Sequence, residues 1–85
     1  MAGYKITFKK SVAKDFRSIP NKDVARILAR IDTLAINPRG EGYIKLSKQE
    51  YYRMRQGIYR IIYEIFEDKL IVYIIKVAHH SSVYQ

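Results

Sequence analysis

The sequence predicts an α+β fold: an N-terminal strand, a two-helix antiparallel hairpin, then a C-terminal antiparallel meander of three to four strands, with the helices packed on one face of the sheet. Three observations predict it. Helical periodicity is confined to residues 11–36, apolar and alternating runs fill residues 43–78, and the turns between those later runs are tight. Tight turns force antiparallel pairing, and a sheet covered by helices on one face buries both kinds of apolar surface in one core. At 85 residues the chain makes a single domain, 1–85, and its 48% hydrophobic content excludes a disordered polymer.

The elements follow in order. YKITF, residues 4–8, alternates as a strand does. Ser11 is placed to cap a helix through SVAKDFRSI, where Val12, Phe16 and Ile19 share a face, and Pro20 ends it. Asn21 is placed to cap the second helix, NKDVARILARIDTLAI. Val24, Ile27, Leu28, Ile31, Leu34 and Ala35 form its apolar stripe, while Lys22, Arg26 and Arg30 face away. Asn37-Pro38 breaks that helix and PRGEG is a loop. Strands then follow as YIKL (43–46), YYRMR (51–55), IYRIIYEIF (58–66) and LIVYIIKVA (70–78). Gln56-Gly57 and Glu67-Asp68-Lys69 turn the last three.

Sixteen Lys and Arg against eight Asp and Glu give a formal charge of +8. On so small a surface that excess attracts polyanions or an acidic protein, the plain alternative being a basic surface that serves solubility. Cysteine is absent, which excludes disulfides and thiolate zinc sites and suits a reducing cytoplasm. No apolar run reaches the roughly 20 residues of a membrane helix, and MAGYKITFKK has no signal-peptide core. The expectation is a soluble cytoplasmic protein that engages no membrane. Eight tyrosines offer rings for stacking on bases or for filling the core.

Chemistry concentrates around one hairpin. Arg53 and Arg55 alternate onto one face of their strand, about 7 Å apart, and send Met54 and Tyr52 to the other face. Arg60 interrupts an apolar strand just across the turn, and Lys45 and Lys48 precede it, so Tyr43 to Ile62 holds five cations and one acid, Glu50. Two readings of Arg60 stand: an internal pair with Glu64 on its own strand, or one of several guanidinium forks aimed at phosphate oxygens. The chain's two histidines, His79 and His80, close the last strand, with Tyr84 beyond. They are either an idle surface pair or proton-active groups delivered to a sheet edge. Without nearby carboxylates or thiolates they make no metal site, and no cofactor is expected.

The run YYRMRQGIYRIIYEIFEDKLIVYIIKVAHHSSVY resembles the C-terminal half of the RelE/ParE superfamily of toxins from toxin–antitoxin systems. There the pattern is Tyr-Arg-x-Arg-x-Gly-x-Tyr-Arg-x-x-Tyr, a charged turn, an apolar strand and Val-Gly-His-Arg-x-x-x-Tyr. The resemblance implies a RelE-like fold. It also implies a ribosome-dependent endoribonuclease that enters the A site and cleaves mRNA without metal, by attack of the ribose 2′-hydroxyl, leaving a 2′,3′-cyclic phosphate. Arg53 and Arg55 fall on its two basic strand positions, Arg60 on its phosphate-clamping arginine and Tyr84 on its terminal tyrosine. His80 replaces an arginine and Ala78 a glycine; as imidazole, His80 is suited to protonate the leaving oxygen. Arg55 cannot serve as a base. Glu50, His79 and ribosomal RNA remain as candidates for that role, and Lys45 and Lys48 join Arg53 and Arg55 as RNA- and ribosome-binding positions. The implied partners are a cognate antitoxin with an acidic binding segment, the ribosomal A site and mRNA, with operator DNA met only through the toxin–antitoxin complex. Two alternatives are a ParE-type toxin that inhibits DNA gyrase and a non-catalytic RNA-binding module.

Overall fold

The computed structural model describes residues 3–40, 42–46 and 51–79. Its elements are β1 (Lys5–Phe8), α1 (Lys10–Arg17), α2 (Asn21–Leu34), β2 (Ile44–Lys45), β3 (Tyr51–Gln56), β4 (Tyr59–Phe66) and β5 (Ile71–His79). The five strands form one sheet in the order β1-β5-β4-β3-β2. The meander β2 to β5 is antiparallel, whereas β1 runs parallel to β5, in register Lys5 to Ile71 and Phe8 to Ile74. The α-helical hairpin is what carries the chain over from one sheet edge to the meander, leaving β1 to close the other edge. Parallel pairing requires such a long crossover.

Helix starts differ from the expected caps. Lys9, extended at φ −67° and ψ 145°, precedes α1 and offers no side-chain cap, so Ser11 lies inside the first turn. Pro20 rather than Asn21 occupies the cap position of α2. Its ring fixes φ near −56°, and its carbonyl accepts the Asp23 and Val24 N–H groups at 2.9 and 3.0 Å. The β3–β4 turn is centred one residue later than expected, on Gly57 and Ile58. Gly57 has φ +61°, a left-handed conformation that glycine adopts without steric cost.

Both helices cover the same face. Val12 and Ile19, with Ile27, Ile31 and Leu34 of α2, join Tyr52, Met54, Ile61, Tyr63, Val72, Ile74 and Val77 of the sheet in one buried cluster. Tyr63 is fully buried and its hydroxyl donates to the Pro38 carbonyl at 2.6 Å, so the ring fills the core without stranding a polar group. Tyr52 stacks on Tyr63 at 5.8 Å between ring centroids and also carries the Arg39 guanidinium over its ring at 5.6 Å. Several tyrosines are therefore structural.

β5 holds a bulge. Ile62 pairs with Lys76 but Tyr63 pairs with Ile74, so Ile75 is an extra residue. That insertion reverses the alternation, letting Val72, Ile74 and Val77 all reach the core while Tyr73 and Ala78 share the opposite, open face.

Candidate functional site

Cross-strand register defines the open face row by row. Arg55 stands directly opposite Arg60, and Arg60 opposite Ala78. The next row is Arg53 and Ile62, with Lys76 paired to Ile62 at the bulge but its ammonium turned toward Asp15 of α1; the next is Tyr51, Glu64 and Tyr73. Alternation thus brings Arg53, Arg55 and Arg60 to one face of one hairpin, away from the helices. Arg55 is exposed, while Arg53 and Arg60 are only 8% and 3% exposed. Like charges directly opposite each other oppose pairing, so the Arg55–Arg60 row costs the fold something that the apolar neighbours must offset.

Glu64 is not Arg60's natural counter-ion. It lies four residues along β4, about 13 Å of strand rise, between two tyrosines. Among the described residues it forms no ion pair with Arg60.

Two expected residues fall elsewhere. His79 pairs with Tyr59, which belongs to the helix-covered core, and meets that ring edge-on at 6.2 Å and 81°. Strand alternation therefore turns it away from Arg55 and Arg60, so its candidacy as their general base is not supported by position. It lines a cavity of about 340 Å³ on the helix side, with Asp15, Ser18, Tyr59, Lys76 and Val77. Lys45 pairs with Tyr52 and so sits on the side opposite Arg53, whose β2 neighbour is Ile44. Glu50, Lys48, His80 and Tyr84 lie outside the described residues.

The helix side holds one device that sequence reasoning missed. Asp15 of α1 accepts the Val77 N–H at 3.1 Å and lies 3.9 Å from the Lys76 ammonium, which ties the end of β5 to α1. Asp15 sits between Val12 and Ile19 on the apolar side of α1, and a carboxylate inside such a stripe was the available signal. Tyr59 donates to Asp23 of α2 at 3.3 Å. Burial, then the Asp23 charge, raises the pKa of its hydroxyl. Together these contacts hold the strand ends from which His79 and Ala78 project.

The chain is a small basic α+β domain whose sheet carries Arg53, Arg55 and Arg60 on the face away from the helices. Comparison with known proteins gives that class a family. Residues 6–84 match the family described as ParE toxin of type II toxin-antitoxin system, parDE, and the chain belongs to this RelE/ParE family of toxins. It is 26% identical over 86 residues to a putative toxin RelE1 of Methanocaldococcus jannaschii, covering 96% of each chain. It is also similar to the toxin in the archaeal RelE–RelB complex from Pyrococcus horikoshii OT3: 28% identity, 95% of this chain and 99% of that one, TM-score 0.82. The toxin–antitoxin complex RelBE2 of Mycobacterium tuberculosis shares the fold at 22% identity and TM-score 0.81, over 91% and 98% of the two chains.

Proposed function

We propose that this toxin is a metal-independent endoribonuclease that cleaves mRNA in the ribosomal A site. The observation that carries the reading is the Arg55–Arg60 cross-strand pair, with Arg53 one row away on the same open face. Cleavage needs the 2′-hydroxyl to lose its proton and bond to the adjacent phosphorus while the bond from phosphorus to the 5′ oxygen breaks. The leaving oxygen takes a proton, and a 2′,3′-cyclic phosphate remains. Negative charge grows on the phosphoryl oxygens in between, where fixed guanidinium donors stabilise it most. Arg60 and Arg55 take that role, Arg53 orients the strand, His80 supplies the proton and Tyr84 stacks beside the bond. Glu50 or ribosomal RNA takes the 2′ proton. Because Arg60 is 3% exposed, it is Arg55, exposed on the same row, that first meets the phosphate.

A cognate antitoxin with an acidic segment neutralises the basic face and links the toxin to operator DNA. The RelE–RelB complexes among its structural relatives support this partnership. The ParE description of the matched family favours a second reading, inhibition of DNA gyrase. One experiment separates the two: purified toxin is incubated with programmed ribosomes, with naked message and with gyrase plus relaxed plasmid. Fragments ending in a 2′,3′-cyclic phosphate only when ribosomes are present support the endoribonuclease; intact message with blocked supercoiling supports the alternative.

A further inference from the structure

The row Tyr51, Glu64, Tyr73 has no part in the reaction just described. Tyr51 of β3 and Tyr73 of β5 flank Glu64 of β4 in direct register, and all three are half-buried on the open face. A carboxylate is out of place here. It weakens a surface otherwise suited to phosphate, and among the described residues it makes neither an ion pair nor a hydrogen bond. Retaining an acid on such a face has a use if it meets hydrogen-bond donors of the same ligand whose phosphates the arginines hold.

We infer that Tyr51, Glu64 and Tyr73 form a base-reading subsite that selects guanine in a single-stranded RNA lying across the open face. This inference rests on the RNA-binding reading of that face. Each tyrosine ring offers a sequence-tolerant stacking surface. The two ionised oxygens of Glu64 are acceptors only. Guanine alone among the four bases presents two adjacent donors, N1–H and the N2 amino group, on its Watson–Crick edge, and they match a carboxylate in bidentate fashion. Adenine and cytosine offer one amino group beside a ring acceptor that the carboxylate repels, and uracil offers one imino N–H between two carbonyls. The row lies about 13 Å along the strands from Arg55 and Arg60, so the base read belongs to a neighbour of the cleaved nucleotide. The subsite therefore sets where the toxin acts without touching the reacting atoms.

Binding of the toxin to uridine hexamers, either plain or carrying one guanosine, adenosine or cytidine, tests this apart from any cleavage. The guanosine hexamer is expected to bind at least about tenfold more tightly than the other three, the discrimination of one good bidentate base contact. Glu64→Gln keeps the side chain's shape, so its urea midpoint should hold while the guanosine advantage disappears. Tyr73→Leu should weaken all four hexamers alike and leave their ratio unchanged. Equal binding of the four by the wild-type chain, or an undiminished guanosine advantage in Glu64→Gln, overturns the inference and leaves the endoribonuclease reading standing. Failure to bind any hexamer even at low salt also overturns the inference, whereas the endoribonuclease reading stands or falls with the programmed-ribosome assay.

Discussion

Arg55 and Arg60 occupy directly opposed positions on β3 and β4, two cations on one face of a hairpin with no acid between them in the register. Like charges facing each other across two strands disfavour their pairing. Arg55→Gln should therefore raise the unfolding free energy slightly, by about 0.2–1 kcal/mol, while lowering the rate of RNA cleavage. Urea titrations at low and high salt, set beside a cleavage assay, check both halves. A variant less stable than the wild type at low salt would show that Arg55 serves the fold.

The two adjacent histidines should separate cleanly. His79 packs on Tyr59 on the helix side, so His79→Ala should leave the cleavage rate close to that of the wild type. His80→Ala should slow the chemical step by about 10²-fold or more, with ribosome binding preserved. Rates measured with saturating programmed ribosomes read the difference. A large loss in His79→Ala with an intact His80→Ala would reverse the assignment.

Salt should govern RNA binding. Each phosphate engaged contributes about 0.7 to the slope of log affinity against log salt for single strands. With three arginines on the open face a slope near −2 is expected, and each arginine-to-alanine change should make it shallower by about 0.7. A slope that no substitution alters would place the contacts elsewhere.

Tyr63 gives the fold an alkaline limit. Burial pushes the pKa of its hydroxyl well above the ordinary tyrosine value of 10.0, so the folded chain holds this proton more tightly than the unfolded chain. Its contribution is fully present below the unfolded pKa and declines as the pH rises above it. Unfolding free energies should be flat from neutral pH to about 9.5 and fall beyond. Tyr63→Phe should cost about 1–3 kcal/mol, because the Pro38 carbonyl loses its donor, and should flatten the alkaline decline. A decline of unchanged steepness would assign it to another group.

Much of this was legible in the sequence because periodicity is a local property. The stripe Val12, Ile27, Ile31 and Leu34 and the alternation of Tyr52 and Met54 with Arg53 and Arg55 announced the core and the arginine face directly. The β5 bulge was not legible: LIVYIIKVA is apolar throughout, and only pairing with β4 reveals Ile75 as the extra residue. The side taken by His79 depends on that pairing, which is why adjacency in sequence suggested a joint role that register does not grant. The parallel docking of β1 and the anchoring of Val77 by Asp15 are likewise long-range choices, joining positions more than sixty residues apart. The helix starts were missed for a local reason, since an extended lysine or proline supplies a start without a side-chain cap.

The most direct test of the central claim is a single-turnover cleavage measurement on programmed ribosomes, comparing the wild-type chain with Arg60→Ala and identifying the fragment ends. If Arg60 stabilises the charge that builds on phosphorus, the substitution slows the step by about 10²- to 10³-fold, with occupancy of the ribosome maintained and the wild-type fragments ending in a 2′,3′-cyclic phosphate. An unchanged single-turnover rate, or wild-type fragments without that terminus, would contradict it.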